Sequence, residues 1–188
     1  MKGFKRDDLM FSLCGLNCAL CTMKIDSYCP GCGGGAGNQG CAIARCSLDR
    51  GGFAYCFECN EYPCGKYNGI DEFDSFITHR HQLKDMEKIK NIGIDTYHTK
   101  LLEKSAILMH LLESYNDGRR KTFFNLAINL LELDDIKTVI RKIESEVQQN
   151  ISIKEKAIIA VKQFENVASQ KGVAIKLNKK PSKDKRIK

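Results

Sequence analysis

All ten cysteines of this 188-residue chain fall between Cys14 and Cys64, and the 124 residues that follow contain none. The cysteines are spaced Cys14-x3-Cys18-x2-Cys21, Cys29-x2-Cys32, Cys41-x4-Cys46 and Cys56-x2-Cys59-x4-Cys64. Two thiolates separated by two residues can occupy one edge of a tetrahedron about a metal, and a second pair closes the site, so repeated CxxC pairs point to bound metal. Cys29-Pro30-Gly31-Cys32-Gly33 adds the residues that a tight ligand turn needs. Proline presets φ, and glycine permits positive φ beside the sulfur.

Ten cysteines in so short a stretch would also suit a disulfide framework in a secreted chain. The first residues read otherwise. Lys2, Lys5, Arg6, Asp7 and Asp8 precede an apolar stretch broken by Ser12, Cys14, Gly15, Asn17 and Cys18, which is not the pattern of a signal peptide. No run reaches the roughly 18 apolar residues of a membrane span. The expectation is therefore a cytoplasmic protein without a membrane segment, whose thiols stay reduced and bind metal.

Fully cysteinyl four-coordinate sites favour zinc. An iron-sulfur cluster is the alternative, because Cys14, Cys18 and Cys21 have the CxxxCxxC spacing of radical enzymes. Those enzymes place the motif in a large α/β barrel, whereas most of the remaining chain reads as helix. Two four-cysteine sites would use eight of the ten ligands and imply about two zinc ions per chain. One partition joins Cys18, Cys21, Cys29 and Cys32, and sets Cys56, Cys59, Cys64 and one of Cys41 or Cys46 at a second site. Interleaved or cysteine-bridged arrangements stay open, and Cys14 and Cys64 are the leading candidates for a leftover reactive thiol. His79 and His81 do not complete a site together, because helical residues two apart point roughly 200° away from each other.

Metal is also needed energetically. Between Ser12 and Gly65 the chain has only twelve large apolar or aromatic residues, among them Leu13, Leu20, Phe53 and Phe57, too few for a core of their own. A structural zinc supplies on the order of 10 kcal/mol, comparable to the net stability of a whole domain. The glycine-rich stretch 31–40 reads as an irregular loop, lacking the lysine and helix start of a phosphate loop.

These blocks resemble a known family. CGLNCALC (Cys14 to Cys21), CPGC, CAIARC and CFECNEYPC (Cys56 to Cys64) look like the successive cysteine blocks of the prokaryotic cysteine-rich family classed as domain of unknown function 3795. SYNDGRRKTFFNLAINLLEL, from Ser114 to Leu133, is similar to a helical segment of its longer members. The resemblance spans residues 10–175 and implies a zinc-binding domain followed by helices, with no established activity.

From Ile70 onward the apolar residues recur at helical spacing. The pattern predicts helices over 71–90, 95–115, 119–133, 135–149 and 152–171. Asn91-Ile92-Gly93, Asn116-Asp117-Gly118 and Gly172 act as stops, and Ser152-x-x-Glu155 as a capping box. Val173, Ile175 and Leu177 alternate as a short edge strand would. The predicted fold is a small irregular metal-stabilised module of zinc-knuckle loops (1–70), an all-α antiparallel bundle of about five helices (71–178), and a basic disordered tail (179–188).

The formal charge of +7 suggests nucleic acid at first sight. Residues 176–188 carry seven Lys and Arg against Asp184, so the rest of the chain sums to only +1. Tail and zinc loops together would support weak, salt-sensitive nucleic-acid binding. A protein partner is the leading expectation, contacted through Arg45, Arg50, Phe53, Tyr55, Tyr62 and Tyr67 on clamped loops. Asp117, Arg119 and Arg120 form a charged corner that could meet an anion. Enzymatic readings fare worse. A hydrolytic zinc needs an open position, usually among His or carboxylate ligands, the zinc-deaminase pattern is absent, and no G-x-S-x-G, H-E-x-x-H or Rossmann fingerprint occurs.

Overall fold

The computed structural model describes residues 2–35, 40–148 and 150–181. Among them it is all-helical, with seven α-helices and no strand: α1 (Thr22–Ile25), α2 (Ala42–Asp49), α3 (Gln82–Ile92), α4 (Ile94–Ser114), α5 (Lys121–Leu130), α6 (Leu133–Glu146) and α7 (Ile153–Gln170). The cysteine region holds only the two short helices and three single 3₁₀ turns. Among the described residues, no helix is long and apolar enough to cross a membrane.

The predicted bundle is present. Its helices α4 to α7 lie close to their predicted bounds because stop and cap signals were strong. Gly93 takes a positive φ of 81° between α3 and α4, and Ser152 and Glu155 form the reciprocal capping box of α7. The predicted helix 71–90 starts at Gln82 instead. Asp74 explains the late start, because its carboxylate accepts from the Thr78 hydroxyl and the His79 amide. Such side-chain bonds compete with helical ones. The expected strand over 173–177 is an unpaired extended strap. Arg80 donates to the carbonyls of Ala174 and Lys176, and Asp74 and Asn178 bond reciprocally. The glycine-rich loop is irregular in its described part, and residues 36–39 and 182–188, which take in most of the predicted tail, lie outside the described residues.

One hydrophobic core runs across both compositional halves. Phe11, Leu20 and Tyr55 from the cysteine region join Met86, Tyr97, Leu108, Leu111, Phe124, Ile136 and Phe164 from the helices. Phe11 packs edge-on against Tyr97 with ring centroids 5.3 Å apart, a favourable arrangement for two aromatic quadrupoles. The few apolar residues of the cysteine region are thus buried by borrowing a surface from α3, α4 and α5. Only a small cluster, Phe4, Leu13 and Ala44, is its own.

Gly15 lies tightly against α3 where the two halves meet. Its φ is +103°, and a Cβ there would lie 2.5 Å from the Gln82 carbonyl oxygen and 2.7 Å from the Met86 side chain. Gln82 reciprocates by donating to the Cys14 carbonyl at 2.8 Å.

Candidate metal centre

Each cysteine is set by a local turn. Cys18 opens one 3₁₀ turn, Cys21 precedes α1, and Cys41 is the N-cap of α2, its sulfur accepting from the Ala44 amide. Cys46 lies within α2. Cys56 and Cys59 bracket a second 3₁₀ turn, and Cys64 precedes a third. All ten are free thiols, partly exposed as whole residues.

Two neighbourhoods emerge. Cys46, Cys56, Cys59 and Cys64 all line one cavity of about 30 Å³, the volume of about one water. Leu13, Tyr62 and Tyr67 complete its wall. In the other neighbourhood, Cys14 senses Cys32 and Cys41, and Cys18 senses Cys32, Cys14 and Cys21. The two meet at Cys56, which feels both Cys64 and Cys41. Cys21 is coupled to Cys18. Among the described residues, no three His, Cys, Asp or Glu side chains stand close enough as placed to hold one metal ion.

Burial pushes the Cys14 and Cys18 thiols up to about 12 and Cys56 to about 11. It raises Cys32 as well, against opposing pulls from the Leu13 amide and the Arg6 guanidinium. The Cys32 amide favours the Cys18 thiolate, the Ser12 hydroxyl lies 3.3 Å from the Cys14 sulfur, and the Tyr67 hydroxyl favours the Cys56 thiolate. Donors aimed at sulfur, with a buried cation beside it, suit thiolates held by a metal.

Arg6 organises the module. Its side chain is 3% exposed and donates to the carbonyls of Asp8, Phe11, Cys32 and Ala54. Its guanidinium also lies 5.2 Å from the centre of the Tyr55 ring. Asp8 ties this cluster to the bundle, accepting from the Tyr55 hydroxyl at 2.8 Å and meeting His98 of α4 at 3.1 Å. Neither residue stood out in sequence, where both read as members of a charged N-terminal stretch.

Several predicted contact residues are placed differently. Tyr55 and Tyr67 are buried, committed to Asp8 and to the Cys14 carbonyl, and so offer no surface. Phe53 and Tyr62 are half-buried, whereas Arg45 and Arg50 are exposed. Arg50 is paired with Glu61 at 2.7 Å. The charged corner closes on itself, Asp117 pairing with Arg120 and capping the Arg119 amide. His79 is held by Ser75 and the Ile70 carbonyl, outside the cysteine neighbourhoods.

Comparisons with protein-family models, with curated proteins and with solved structures found no match.

Proposed function

We propose that this chain is a zinc protein whose metal fastens the N-terminal loops into an interaction module. The observation that carries the reading is the cavity of about 30 Å³ lined by four cysteines, from two stretches of chain that no disulfide links. Cys46, Cys56, Cys59 and Cys64 would hold one ion, and Cys14, Cys18, Cys32 and Cys41 a second. Cys21 and Cys29 are left as spare thiols. Zn–S bonds of about 2.3 Å require the thiols to turn inward from their placed rotamers. The bound ion would supply cross-linking free energy, in a region whose own apolar cluster is small.

Each tetrathiolate zinc carries a charge of about −2, and the buried Arg6 offsets part of it beside Cys32. The exposed side of the module, Arg45 and Arg50 with half-buried Phe53 and Tyr62 behind them, is the surface offered to a protein partner.

The test is the elemental content of protein purified anaerobically, with its visible spectrum. About two zinc ions per chain and no visible band are expected, and Cys59→Ser should remove one of them. Iron with sulfide would replace zinc by a cluster on the same thiols. Metal-free protein with an unchanged fold would overturn both.

A further inference from the structure

A second site lies away from the exposed cysteine surface. A cavity of about 200 Å³ opens between the Asn17 turn, α3, α4 and the start of α6. Its floor is a buried polar chain. The Asn17 amide donates to Asp85 at 2.8 Å, and the Tyr97 hydroxyl donates to the Asn17 oxygen at 2.8 Å. These three residues are 6 to 7% exposed. Lys104 lines the same cavity. It stands seven residues after Tyr97, hence on the same face of α4. Its ammonium donates to the Leu131 carbonyl at 2.7 Å, and two further N–H directions remain for the cavity. Lys88 and Lys100 also line it, as do Glu132, which holds the Lys88 ammonium at 2.6 Å, and Asp134.

A bundle interior has no structural need for an amine, an acid and a phenol gathered round a space. That combination is what imine chemistry uses: an amine nucleophile and groups that move protons on the departing oxygen. We propose that this cavity binds a small 2-oxo acid, whose carbonyl carbon condenses with the Lys104 amine. The neutral amine attacks, a C–N bond forms, and the carbinolamine oxygen takes up protons and leaves as water. The C=N bond remains, and no oxidant or reductant enters. Lys100, on the same cavity wall, supplies the cation a carboxylate seeks. The volume corresponds to on the order of six or seven waters, which suits roughly three to five carbons and excludes a nucleotide. Burial lowers the Lys104 ammonium to about 8 and raises the Asp85 carboxyl. Near pH 7 about 10% of Lys104 is then free amine, against roughly 0.03% for an ordinary lysine.

The native protein is incubated with pyruvate and sodium cyanoborohydride, which reduces any imine, and the modified residues are mapped by peptide mass spectrometry. Lys104 should carry a 1-carboxyethyl group at an occupancy at least ~10-fold above any other lysine, given that ratio of free amine. The α-amino group, of similar pKa, reacts as well and is told apart by its peptide. Urea-unfolded protein should lose the preference, and Tyr97→Phe should slow labelling of Lys104 alone. Labelling that merely follows exposure, or spares Lys104, overturns the proposal. Acetaldehyde marking Lys104 as fast as pyruvate overturns the choice of an acid.

Discussion

Gly15 provides the sharpest check on how the cysteine region meets the helices. In Gly15→Ala the new methyl group enters at φ +103° with a helical carbonyl 2.5 Å away and a core methionine at 2.7 Å. The backbone conformation alone costs about 1–2 kcal/mol for a residue with a Cβ. Overpacking against a carbonyl fixed in α3 adds about 1–3 kcal/mol, for a total of about 2–5 kcal/mol. Gly118→Ala is the reference, since Gly118 has a similar φ of +87° and nothing within 4 Å of its Cβ position; it should lose only the conformational part. Urea unfolding in excess zinc, followed by far-ultraviolet circular dichroism, should separate the two variants by about 2 kcal/mol, or roughly 1 M in midpoint. If Gly15→Ala falls within about 0.5 kcal/mol of Gly118→Ala, the loop does not lie against α3 as described.

The zinc proposal predicts that a chelator exposes the core tyrosines of the cysteine region while α6 and α7 keep their helical signal, as read by fluorescence and circular dichroism together. Zinc must displace the protons that burial holds on Cys14, Cys18 and Cys56. Affinity should therefore fall as pH falls, by up to about four orders of magnitude per pH unit for four thiols, measured against a chromophoric chelator. Asp8→Ala strips a partner from both Tyr55 and His98 and should cost about 2–4 kcal/mol in denaturant unfolding. The Lys104 ammonium is lowered to about 8 in the fold, so between about pH 8 and 10.5 the unfolded chain binds the extra proton and stability rises with pH. The gain totals about 3 kcal/mol, and Lys104→Met should abolish that rise and be neutral or stabilising at pH 7, in unfolding curves across this range.

The bundle was legible because its signals are local: apolar spacing set the helices, and Gly93, Gly118 and Ser152 punctuated them. The cysteine blocks were legible for the same reason, as spacings within a few residues, and each falls in a local turn or helix start. What sequence could not supply was everything joined over long distances. Asp85 and Gln82 look like solvent-facing members of α3, yet both are buried, because their partners Asn17 and the Cys14 carbonyl lie 68 residues away. Asn125 reads as an interruption in an apolar helix, yet it bonds the Leu20 carbonyl. Tyr55 and Tyr67 looked like loop surface because nothing local shows that Arg6, Asp8 and Cys14 sit above them. The start of α3 failed differently, where Asp74 diverted a stretch with good periodicity into side-chain bonds.

The separation of the cysteine region from the surface that buries it has a temporal side. Asp8 waits 90 residues for His98, and Leu20 waits 105 for Asn125. At about 5–20 residues per second of synthesis, roughly 3–12 s pass between the emergence of Cys64 and that of α5. During that interval the ten cysteines stand on a nascent chain that lacks the complete helical surface that buries their loops. Metal that arrives then would act as a placeholder for the missing core, and the cellular supply of zinc during translation, more than the final affinity, would govern how much of this protein matures.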